Sequence, residues 1–181
     1  MHGYSVANGD VLVVRTSGIG ARLIRLGERI QGKPDLDNHV AVVYNAGPGG
    51  ILAIEGRPGG VGWVDAAKYL DSQYTVTNFC QPKTEIQRRT VCAAMREMAM
   101  RKTPYDWWAI ADDTESALRI PDVFREPADW GKFPGHVVCS SVAAWAYDQA
   151  GLVRPDPGDC PHVEPADWDS FISSQGWLAA A

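Results

Sequence analysis

Two apolar runs, His39 to Tyr44 (HVAVVY) and Ile51 to Glu55 (ILAIE), flank the cluster Asn45-Ala46-Gly47-Pro48-Gly49 and Gly50, which reads as a turn. Together they predict a β-hairpin. Pairing Tyr44 with Gly50 and counting back along both strands puts His39 directly across from Glu55. Their Cβ atoms would then lie about 4.5–5.5 Å apart on one face. At that range a carboxylate accepts the imidazole N–H and fixes its tautomer. A slip of one residue would send the two side chains to opposite faces, so the reading depends on register.

The rest of the chain supplies partners for the hairpin. Asp10 to Arg15 (DVLVVR) predicts a first, buried strand, and Val61 to Val64 and Tyr74 to Phe79 predict two more, giving a mainly antiparallel sheet. Between Ser17 and Gly32, Ile19, Leu23, Leu26 and Ile30 recur at helical spacing. Thr84-x-x-Gln87 is a capping box for a helix running to about Arg101, with Val91, Met95 and Met98 on one face. Cys139 to Ala150 fits a helix with Val142, Trp145, Ala146 and Ala150 inward and Gly151 closing it. A last helix is expected from Pro165, striped by Trp168, Phe171 and Ile172. The expected class is therefore α+β, an antiparallel sheet packed against helices. The 181 residues, 45% hydrophobic, fit one domain over 1–181. A long insertion at about 112–135 carries Asp112, Asp113, Glu115, Asp122, Glu126 and Asp129 with little periodicity.

Gly135-His136-Val137-Val138-Cys139 leads from an irregular stretch into a helix, placing Cys139 in its first turn. Unpaired N–H groups and the helix dipole there favour a thiolate. If that helix end meets the hairpin, thiol and imidazole form an activated nucleophile and base, and the Cys139 N–H can help hold an oxyanion. Cys92, within an apolar helix, reads as a small buried hydrophobe. His136 is a chain neighbour of Cys139, poorly placed to act as its base. Ser140 and Ser141 lack the G-x-S-x-G setting of a serine nucleophile. Cys160-Pro161-His162 offers two ligands without a second pair, so no metal site is expected, and the chemistry calls for no cofactor.

A net charge of -5 leaves no basic footprint for nucleic acid or an anionic membrane. The start, MHGYSVANGDVLVV, lacks the pattern of a signal peptide, and no apolar run is long enough to span a bilayer. A soluble protein is expected, cytoplasmic, or virion-associated if phage-encoded. The four cysteines are too few and irregular for a disulfide scaffold. Trp107 and Trp130, flanking the insertion, are candidates to line a substrate groove.

In order, a Gly-Asp pair before an apolar strand, the Asn38-His39-Val40 strand start, a strand ending in Glu55-Gly56, Pro104-Tyr105-Asp106 and Cys139-Ser140-Ser141 at a helix start resemble one family. It is the circularly permuted branch of the NlpC-type papain-like cysteine hydrolases, which includes the YiiX-like proteins and is similar to lecithin:retinol acyltransferase. The resemblance spans roughly Gly9 to Gly151. It implies a permuted papain-like fold, with Cys139 as nucleophile, His39 as base and Glu55 as the third polar group. It also implies Tyr105 as an oxyanion donor. Asn38 departs from the Ser or Thr that often precedes the histidine, and the 112–135 insertion has no family counterpart. The implied activity is that of a cysteine amidase or peptidase acting on a peptide, amide or acyl substrate, such as bacterial cell-wall stem peptides. Lipid acyl transfer or thioester cleavage, which an apolar groove near Leu23, Leu26 and Ile30 would favour, is the alternative. A non-catalytic structural or virion-associated protein is the third.

Overall fold

A computed structural model describes residues 6–17, 38–70, 75–79, 83–105, 137–155 and 163–175, with Ala21, Arg29 and Gly32. Most of the helix expected over 17–32, including Ile19, Leu23, Leu26 and Ile30, the insertion at 112–135, Trp107, Trp130, His136, Cys80 and Cys160 lie outside the described residues.

The described residues form an α+β structure around an antiparallel sheet. Its strands are β1 (Val11–Arg15), β2 (His39–Gly47), β3 (Gly50–Arg57), β4 (Gly60–Asp65) and β5 (Thr75–Phe79), in spatial order β4-β3-β2-β1-β5. Every neighbouring pair is antiparallel. Three helices follow, α1 (Glu85–Arg101), α2 (Cys139–Gln149) and α3 (Pro165–Gln175). A short 3-10 turn, Ala66–Leu70, leads on from β4.

The hairpin forms, but its register differs from the symmetric expectation. The strands run through most of the glycine cluster to a tight turn at Pro48-Gly49, with Gly47 paired to Gly50. Pairing is offset between Val43 and Asn45, so Tyr44 is an extra residue on β2, a bulge. Below it Ala41, and not His39, faces Glu55. The bulge decides the chemistry. Had the turn's register continued unbroken, His39 and Glu55 would point to opposite faces; the one extra residue restores the parity that puts both on the same face. They are diagonal neighbours, within reach of long side chains.

Alternation along the strands divides the core. Val11, Val13, Val40, Val42 and Ile54 point to one face, where α1, α2 and α3 bury Met95, Met98, Val142, Tyr147 and Trp168 against them. Leu12, Val14, Ala41, Val43 and Ala53 point to the other, covered by Ala66 and Tyr69 of the 3-10 turn. The capping box is present, Thr84 Oγ1 accepting from the Gln87 N–H and Gln87 Oε1 from the Thr84 N–H. Helix α2 is buried along its first nine residues, Cys139 to Tyr147, as a helix apolar nearly all round requires. A buried ion pair fastens these layers. Asp10 accepts from Lys83 Nζ at 3.1 Å and Arg88 Nη1 at 3.3 Å, and the Tyr147 hydroxyl donates to the Gly9 carbonyl. The start of β1 is thereby tied to both α1 and α2.

Candidate functional site

His39 is the first residue of β2, and its backbone is fixed by its neighbour. Buried Asn38 accepts from the Thr16 N–H (2.9 Å) and hydroxyl (2.7 Å) through Oδ1 and donates to the Thr16 carbonyl (3.1 Å). These bonds extend the β1–β2 attachment one step past the ladder. Asn38 thus has a structural role. The amide accepts through its oxygen and donates through its nitrogen, two separate atoms that span both polar groups of the Thr16 backbone, where a hydroxyl would have to do both from one oxygen.

From this strand end His39 Nε2 lies 2.9 Å from Glu55 Oε2. Glu55 is 2% exposed and surrounded by donors. The Tyr69 hydroxyl donates to Oε2, Lys68 Nζ donates to Oε1 at 3.1 Å, and Arg57 Nη1 stands 3.7 Å from Oε1. The remaining histidine nitrogen, Nδ1, is left for the sulfur, and the Cys139 thiol and the imidazole each favour the charged form of the other. Sequence reasoning placed Cys139, His39 and Glu55, and the structure brings all three together.

Cys139 belongs to a helix on the opposite side of the sheet, so how it arrives matters. Registered pairing between β2 and β3 stops at Ala41 and Glu55, although β2 begins at His39 and β3 runs on to Arg57. The first turn of α2 lies against that parting, where the Val40 N–H helps to favour the thiolate of Cys139. A Cβ on Gly56 would be 3.2 Å from both the Cα and N of Cys139, so the backbones approach as only glycine permits. Gly56→Ala is expected to displace the Cys139 thiol from the imidazole and lower its reactivity toward iodoacetamide at least about 10-fold, with little loss of secondary structure. Kinetics alongside circular dichroism will check this.

The helix end itself is arranged for an anion. Its N-cap is Val138, with no side-chain oxygen to accept the first-turn N–H groups. Ser141 Oγ instead turns back to the Val138 N–H and C=O, at 3.0 Å each. Ser140 is committed elsewhere, its hydroxyl donating to the Val163 carbonyl while its own carbonyl accepts from Trp168 Nε1. α3 therefore holds the first turn in place. An isolated parallel bridge joins Tyr105 to Val137, two residues before Cys139, and brings the Tyr105 backbone beside the segment leading into α2.

Burial works against every charge in this cluster, and specific partners overcome it. For His39 burial opposes the imidazolium, but the Cys139 thiolate and the Glu55 carboxylate raise it from 6.5 to about 10. For Cys139 burial opposes the thiolate, while the imidazolium, its hydrogen bond and the Val40 N–H bring the thiol below its ordinary value. Glu55, despite burial, is held at about 2 by His39, Tyr69 and Lys68. Tyr69 is raised, by burial and then by Glu55, and so stays a neutral donor. Cys92 shows the contrast: its thiol approaches the carbonyls of Val43 and Tyr44 at the bulge, and burial pushes it up. Both thiols are free.

Cys139 as a residue is 3% exposed, so approach to the sulfur runs past His39, whose side chain is 14% exposed. Lys68, Tyr69 and the Val40 N–H were not legible in the sequence. Lys68-Tyr69 falls in a stretch with no motif, and a backbone N–H leaves no compositional trace. Among the described residues no group of three or more His, Cys, Asp or Glu is placed to hold a metal ion, and no helix is long and apolar enough to cross a membrane. No protein family's sequence profile and no curated protein matches the chain.

Proposed function

We propose that this chain is a cysteine hydrolase of the permuted papain-like class, an amidase or peptidase working through an acyl-enzyme on Cys139. One observation carries the reading: a single imidazole is shared between a buried carboxylate and a thiol at an uncapped helix start, with the thiol lowered and the imidazole raised. That combination makes a nucleophile at neutral pH together with the acid that its reaction needs. The order of the parts, histidine strand before cysteine helix, agrees with the permuted arrangement.

In this mechanism the Cys139 thiolate attacks the substrate carbonyl, forming the S–C bond. The N–H of Cys139 and its first-turn neighbours stabilise the oxyanion. The imidazolium of His39 gives its proton to the leaving amine as the C–N bond breaks. Water then attacks the thioester with His39 taking its proton, and the acid and thiolate are released. Glu55 remains ionised throughout and keeps Nε2 protonated and the ring aligned.

The test is direct. The protein is incubated with peptide amides, including cell-wall stem peptides, and with acyl esters, and product release and the mass of the Cys139 peptide are followed. Amine release with an acyl adduct on Cys139, absent in Cys139→Ala, is the expected outcome. Turnover undiminished in Cys139→Ala would sink the proposal.

A further inference from the structure

Glu55 has more cationic company than it needs. Its Oε2 accepts from His39 and Tyr69 and its Oε1 from Lys68. Arg57, at 3.7 Å, stands beyond hydrogen-bonding distance and satisfies nothing on the carboxylate. Yet its guanidinium is directed. Nη2 donates to the Trp63 carbonyl at 3.3 Å and lies over Gly62, where a Cβ would come within 3.3 Å of it. Lys68 is directed too, its Nζ 4.5 Å from the centre of the Tyr69 ring. Two held cations thus approach one carboxylate oxygen from different elements, the end of β3 and the 3-10 turn.

Their exposure separates them from the buried machinery. Lys68 is 42% and Arg57 46% exposed, against 2% for Glu55. The thiolate and imidazolium cancel, and Glu55 offsets one of the two cations. One positive charge is left over at this rim, in a chain whose net charge is -5. Among the described residues neither cation is paired with another acid. An ammonium has three donors and a guanidinium five, so most remain available. By strand parity Arg57 shares the face of Glu55 and His39.

We infer that Lys68 and Arg57 form a receptor for a carboxylate of the substrate, selecting amides or acyl donors that carry a free carboxylate near the bond attacked. The inference rests on the hydrolase reading and narrows its substrate class. Spare donors on an ammonium and a guanidinium side by side suit a planar anion, which is held by charge-assisted hydrogen bonds.

Iodoacetate and iodoacetamide test this without a known substrate, because they differ only in the carboxylate. The rate of each at Cys139 and at Cys92 is measured by mass spectrometry at low salt and neutral pH. Taking the iodoacetate to iodoacetamide ratio divides out changes in the thiol itself, and the attraction of the His39 imidazolium is common to all variants. The ratio at Cys139 is expected to exceed that at Cys92. It should fall roughly five-fold in Arg57→Met and in Lys68→Met, the scale of one partly screened charge. Arg57→Lys and Lys68→Arg should keep most of it, which a purely structural role would not predict. A ratio unchanged in both Met variants overturns the receptor and leaves the hydrolase reading standing. A Cys139 no more reactive than Cys92 toward iodoacetamide at mildly acid pH removes the hydrolase reading, and the receptor with it.

Discussion

In His39→Ala, the pH midpoint for alkylation of Cys139 is expected to rise toward that of Cys92, and turnover to fall by at least about 10⁴-fold. The imidazolium is the largest influence lowering the thiol, which burial alone would raise. With the ring gone, the Val40 N–H is left to oppose burial, and the midpoint moves up past that of an ordinary thiol. Absolute rates change less than midpoints, because a more basic thiolate is the better nucleophile. The shift in midpoint is therefore the measurement to make, by residue-resolved mass spectrometry with Cys92 as the internal reference. The wild-type turnover profile follows the same logic. Its acid limb reports the lowered Cys139 thiol, and its alkaline limb falls near the value of about 10 at which His39 gives up its proton. Matching midpoints at Cys139 and Cys92 would remove the basis for an activated thiol.

Glu55→Gln is expected to lower turnover roughly 100-fold or more while leaving residual activity, and to flatten the acid dependence of stability. A neutral amide can still accept from His39 and Tyr69 through its oxygen. Its NH₂ would then face the Lys68 ammonium, donor against donor, and the imidazolium would lose its counter-charge. The stability effect has a definite sign. Glu55 is lowered from 4.5 to about 2, so its contribution is fully present above 4.5 and is lost as pH falls through about 2. A shift of that size at a buried group corresponds to roughly 3 kcal/mol. The His39–Glu55 attraction appears in the shifts of both partners and is counted once. Denaturant titrations of wild type and Glu55→Gln between pH 7 and pH 2.5 should converge at the acid end. Parallel curves would show that the carboxylate stabilises nothing.

The elements were legible because each left a local signal. Alternation marked the strands, the capping box marked the start of α1, and the glycine at 151 marked the close of α2. The register was not legible. The glycine-rich stretch from Gly47 to Gly50 fits several turns, and nothing in Val43-Tyr44-Asn45 announces a bulge. Symmetric pairing nevertheless put His39 and Glu55 on one face, since the real offset along those strands differs from it by an even number. The approach of Cys139 was foreseen from its helix start, but the close contact at Gly56 depends on tertiary placement, as do the donors from Lys68 and Tyr69.

The bulge at Tyr44 makes the chemistry hinge on a count of residues. A residue added or removed at the solvent-exposed tip is absorbed there and leaves Ala41 paired with Glu55. An odd slip that reaches the paired strands does more: it turns the imidazole away from the acid and exchanges the two apolar faces of β2 as well. Site and core therefore share one register, and a hairpin packed correctly on both faces already has its acid and imidazole on the same side.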